Sequence, residues 1–89
     1  MIEIEVTALS RSEDVAYLIA DQLRGHDQAM IRAVGAGAVH QAVKAIAIAI
    51  GFLALDGVRA VCVPTMAGVE VEGAERMAVQ ITVEVLHRD

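Results

Sequence analysis

Aromatic side chains are almost absent from this chain. Tyr17 and Phe52 are the only two, and there is no tryptophan. Such a core has to be filled with alanine and branched aliphatics, which make up most of the 56% hydrophobic content. Cysteine occurs once, at Cys62, so no internal disulfide can form, and a reducing compartment is expected. Basic residues are the minority, 7 Lys and Arg against 12 Asp and Glu, for a formal net charge of −5. That balance argues against strong, unspecific affinity for nucleic acid or anionic membranes, which need local positive charge. No nucleophile-base pair, paired carboxylates in an evident pocket, or Walker-type loop is visible. His26, His40 and His87 are scattered without metal-ligand spacing. No enzymatic activity, metal or cofactor is therefore expected. Linkers, repeats and low-complexity stretches are also lacking, and 89 residues predict one domain over 1–89. The N-terminus alternates polar with apolar residues and has no signal-peptide pattern, so the cytoplasm is the expected location. The apolar stretch at 45–55 is too short to span a bilayer, and no membrane partner is expected.

What the chain does have is a helix-length run at 35–51, bracketed by glycines. At 100° per residue the run splits into three faces. Val39, Val43, Ile46 and Ile50 form a stripe of large side chains, expected to pack on a sheet. Ala38, Ala42, Ala45 and Ala49 form a small stripe, expected to approach another helix closely. His40, Gln41 and Lys44 share the third face with Ala47 and Ile48. An apolar residue on that otherwise polar face, in so small a chain, predicts a homodimer or higher even oligomer with Ala47 and Ile48 at the interface.

Taken in order, residues 2–8 alternate as a half-buried strand, with Ile2, Ile4, Val6 and Ala8 facing one way. Ser10 and Glu13 match a capping box, opening a helix that Gly25 stops. Its apolar stripe is Val15, Leu18, Ile19 and Leu23, flanked by Ala16 and Ala20 as partners for the alanine stripe. Residues 28–34 form a short strand, with Ala29, Ile31 and Ala33 on one face. The glycine-bracketed helix comes next, and Asp56-Gly57 is a turn. Residues 58–63 read as a strand covered on both faces, with Cys62 a small buried filler. Pro64 ends that strand or marks a sheet edge. Residues 69–76 read as an exposed hairpin arm turning near Gly73. The last strand points Val79, Ile81, Val83 and Val85 inward, and residues 87–89 form a tail. The order β-α-β-α-β-β predicts an α/β (α+β) two-layer sandwich: a four-stranded mixed sheet with two helices on one face.

Gly35 and Gly37 precede a helix, where free N–H groups favour an anion such as phosphate. The plainer reading is a tight strand-to-helix turn. His40, Gln41 and Lys44 near that terminus could meet phosphate, or form an ordinary solvated face.

The run Gly35-Ala36-Gly37-Ala38-Val39-His40-Gln41-Ala42-Val43-Lys44-Ala45 resembles the stage V sporulation protein S family. The likeness extends through Ala47-Ile48-Ala49, Gly51-Phe52 and Val61-Cys62-Val63-Pro64 to Gly73 and Glu75-Arg76, covering nearly the whole chain. The resemblance implies a small regulator with an Alba-like fold, sheet order 1-2-4-3, dimers and a DNA- or RNA-binding surface. Carried onto this chain, that surface comprises Ser10, Arg11 and Ser12 in the first loop, Gly35 to Lys44, and the arm from about Ala67 to Arg76; Arg32 is added as a further candidate cation. Alba-type proteins have adjacent lysines in the first loop and a basic arm. Here Arg11 is followed by Glu13 and Asp14, and the arm sets Glu70, Glu72 and Glu75 against Arg76. Two functions follow: a nucleic-acid-binding regulatory module, or an oligomeric protein–protein interaction module with little nucleic-acid affinity. Convergence of Arg11, Arg32, Lys44 and Arg76 on one surface favours the first, and scattering of them among the carboxylates favours the second.

Overall fold

The computed structural model describes residues 3–89, so Ile2, expected at the start of the first strand, lies outside the described residues. Six elements follow in the expected order: β1 (Glu3–Val6), α1 (Ser12–Gly25), β2 (Gln28–Val34), α2 (Ala36–Leu55), β3 (Val58–Val71) and β4 (Ala74–Arg88). The sheet order is β1-β2-β4-β3. β1 runs parallel to β2, while β4 is antiparallel to both β2 and β3. Both helices cover one sheet face. Ile4, Val6, Ala29, Ile31, Ala33, Ile81 and Val83 are buried beneath them, as the alternation predicts. Each large aliphatic so buried contributes about 1.5–3 kcal/mol.

The seam between the helices is made of alanine. Ala16 and Ala20 of α1 and Ala42, Ala45 and Ala49 of α2 are fully buried, with Ala38 nearly so, and the two helices pack directly on each other. Small side chains permit that close approach. The seam rotates α2 toward α1, and its large stripe is covered only in part. Ile46 is buried, Val39 and Ile50 are half-buried, and Val43 is 54% exposed. On α1, Leu18 turns outward instead of joining the core, because the buried face is Val15, Ala16, Ile19, Ala20 and Leu23.

Several boundaries differ from expectation. Arg11, not Ser10, is the N-cap of α1, and no side chain caps it. The Ser10 hydroxyl is engaged behind the helix, accepting from the Thr7 N–H at 2.8 Å. Gly51 does not end α2, which continues to Leu55. A mid-helix glycine costs only about 1 kcal/mol, and burial of Leu53 outweighs it. The stop is the Asp56-Gly57 turn, where Gly57 adopts φ 75°. The resulting 20-residue helix is long and apolar enough to cross a bilayer, unlike the shorter stretch at 45–55, although one of its faces packs on α1 and the sheet.

β3 does not end at Pro64. It is one 14-residue edge strand, and Pro64 sits opposite Ile81 within it. An edge tolerates a residue that cannot donate. Nor is this strand covered on both faces: Val61, Cys62, Val63 and Met66 are all exposed, so Cys62 is not a buried filler. The hairpin turns at Glu72 (φ 52°) and Gly73 (φ 79°), the paired left-handed conformation of a two-residue turn. The expected tail is strand at residues 87–88, and Arg88 donates to the carbonyls of Leu23 (2.8 Å) and His26 (3.0 Å) at the end of α1.

Candidate nucleic-acid interface

Because β1 and β2 are parallel, both strand-to-helix turns lie at one end of the sheet. Residues 7–10 form a self-bonded turn, with the Ser10 N–H donating to the Thr7 carbonyl and the Leu9 N–H to the Thr7 hydroxyl. The second turn is set by Gly35 at φ 92°, a left-handed conformation that side chains disfavour. The two turns are fastened together. Gln41 Nε2 donates to the Ser10 carbonyl at 2.7 Å, and a Cβ on Gly37 would stand 2.9 Å from that of Ala8. Gly37 is thus glycine for close approach.

Neither helix N-terminus at this corner has a side-chain cap. Their first-turn N–H groups remain free to meet an anion. The two ends differ electrostatically. α1 places Glu13 and Asp14 in its first turn, whereas α2 has no acid there. The α2 terminus is the better anion site. Lys44 and His40 are exposed along the following turns, and Lys44 makes no ion pair among the described residues. Arg11 makes only a long, exposed contact with Asp14, 3.8 Å. A shallow crevice of about 410 Å³ opens between residues 8–13 and Gln41.

The structure therefore brings Arg11, Gly35, Gly37, His40, Gln41 and Lys44 to one corner. Gln41, read from sequence as a donor to phosphate, spends its amide on Ser10 and positions the loop instead. Arg32 and Arg76 do not join this cluster. Arg32 is on the helix-free sheet face, where β1 pairing places Glu5 beside it; it bonds to Glu5 and lies 3.0 Å from Glu3. The hydrogen bond to Glu5 and both nearby carboxylates hold its guanidinium still more firmly protonated than usual, against a smaller opposing effect of burial. Arg76 stands on the arm opposite Val69. Glu70 pairs directly with Glu75, and neither has a cationic partner among the described residues. The residues expected at an oligomer interface separate too: Ala47 is exposed, but Ile48 is half-buried against the core. Leu9, passed over in the sequence, is 93% exposed at the tip of the first turn. No local pattern marks it.

Two helices on a mixed sheet of order β1-β2-β4-β3, with a projecting hairpin, define an Alba-like fold. Among solved structures, Alba from Thermoplasma volcanium matches with a TM-score of 0.65 and 16% identity, over 93% of this chain and 99% of that one. The family model "Stage V sporulation protein S (SpoVS)" matches residues 2–86. The chain belongs to the stage V sporulation protein S family, and is thus a small sporulation-related protein.

Proposed function

We propose that this protein is a cytoplasmic, non-enzymatic regulator that contacts DNA or RNA through the corner formed by the two strand-to-helix turns. The observation that carries this reading is the uncapped, acid-free N-terminus of α2, with Lys44 unpaired among the described residues and Arg11 on the turn fastened to it. Phosphate is the chemistry such donors and cations suit. The likeness to an Alba protein supports it only through the shared fold. The arm is excluded from this contact, because its carboxylates oppose phosphate. Two cations per protomer make a small footprint. A dimer offering two corners would neutralise about four phosphates, so the log–log salt slope on duplex DNA would be no steeper than about −4. Fluorescence anisotropy with duplex DNA, single-stranded DNA and RNA tests this at low and moderate salt. Wild type should bind at least one of the three, and Arg11→Glu with Lys44→Glu should remove that binding. Absence of binding to all three at low salt overturns the reading.

The oligomer in this proposal is a dimer built on a different surface from Ala47 and Ile48 alone. Cys62, Pro64 and Met66 share the helix-side face of β3 with no helix above them, and Met66 is 61% exposed. With Val43 and Ala47 of α2 they offer an uncovered apolar face for a second copy. Met66→Asp with Val43→Asp should shift the species toward monomer in sedimentation. A wild type that sediments as monomer at high micromolar concentration removes the dimer.

A further inference from the structure

The first turn presents two side chains that a phosphate contact leaves unused. Leu9 is 93% exposed, yet its backbone is fixed. Its N–H donates to the Thr7 hydroxyl at 3.2 Å, and the Ser10 hydroxyl accepts from the Thr7 N–H at 2.8 Å. A bonded turn thus holds an aliphatic side chain out in water, where it gains nothing by itself. Leu9 also lines the crevice of about 410 Å³ at the corner, together with Arg11, Ser12 and Glu13. Glu13 is exposed and has no hydrogen-bond or ion-pair partner among the described residues, whereas Asp14 beside it has Arg11. An aliphatic surface, a free carboxylate and a cation therefore meet in one crevice, next to the uncapped end of α2. They match the face of a base, its donor edge and its phosphate.

We infer that the crevice seats one unpaired base of a single-stranded nucleic acid, and that Glu13 selects guanine. The inference rests on phosphate being met at this corner and adds the base to it. Leu9 covers the face of the base. The Glu13 carboxylate accepts from the N1–H and the N2 amino group of guanine, a paired contact. Adenine and cytosine offer that carboxylate one amino group, and thymine or uracil sets two carbonyls around its single N–H. A duplex hides both the face and that edge, and opening it costs stacking that a two-cation footprint does not offset.

Anisotropy of the full chain with fluorescein-labelled oligothymidylate tests this, with and without one central guanosine. Wild type should bind the guanosine strand about tenfold more tightly, the effect of one paired base contact at an exposed position. Glu13→Gln should bring the two strands level without weakening oligothymidylate, since it removes a charge that repels phosphate. Leu9→Ser should weaken both strands about threefold with the salt slope unchanged, because no charge is lost. Equal binding of the two strands by wild type, a preference that survives Glu13→Gln, or a Leu9→Ser variant that weakens neither strand overturns the inference and leaves the phosphate contact standing. Tighter binding of a guanosine-containing duplex, or displacement of the strand by an equal concentration of guanosine monophosphate, overturns it as well. Absence of binding to either strand removes the phosphate contact itself, and this inference with it.

Discussion

The helix-covered body and the far half of the β3–β4 ribbon are built on opposite rules from the same small alphabet. In the body, one face of each helix is closed over the sheet, and Ala16, Ala20, Ala42, Ala45 and Ala49 of the helix seam are fully buried. In the far half of the ribbon, Met66, Val71 and Met77 stand exposed, and Glu70 faces Glu75 where a core would be. Backbone pairing along 14 register positions holds the ribbon, and side-chain packing holds the body. The difference teaches where this fold keeps its stability and where it presents itself to others.

The sharpest way to break that contrast is to enlarge the seam. Ala45→Leu, at a site with no free space, is expected to cost about 2–3 kcal/mol, read as a lower urea midpoint. An unchanged midpoint would mean the seam is loose and the body is no better packed than the ribbon. Next is the bridge between the two regions. Arg88, near the end of the ribbon's second strand, bonds two carbonyls at the end of α1. Arg88→Met should cost about 1.5 kcal/mol in the same assay, since those carbonyls lose a charged donor. A smaller effect is expected at the corner. Gly37→Ala forces its Cβ against Ala8 and should cost about 1 kcal/mol in the same assay. The least effect belongs to the ribbon's exposed face, where Val61→Thr should stay within about 0.5 kcal/mol of wild type. A large loss there would show that the ribbon has a core of its own.

Much of the body is legible in the sequence because burial on one face imposes a period. The alternation at Ile4 and Val6, the 28–34 strand and the alanine stripe map onto buried positions, whereas Ala8, expected on the same face, is exposed in the turn because β1 ends at Val6. The ribbon resists reading because its length is set by pairing. Pro64 looks like a stop to any local rule, yet an edge strand carries it. Cys62 looks buried because its neighbours are apolar, but no helix reaches over it. The candidate site divides in the same way. The glycine turn and Lys44 are visible as a pattern. The clasp on Arg32 depends on β1–β2 register, which places Glu5 opposite it, and the hold of Gln41 on Ser10 spans two loops. Long-range partners decide which polar residues are free, and a sequence shows only the residues.

The central claim is that phosphate is met at the corner and refused by the arm. An amide-resolved NMR titration of the full chain with single-stranded DNA at low salt tests it most directly. The account predicts shifts at Arg11, Ser12 and residues 35–44, with residues 69–76 unmoved. Shifts concentrated at Val69, Glu70 and Arg76, with Gly35 and Gly37 silent, would contradict it.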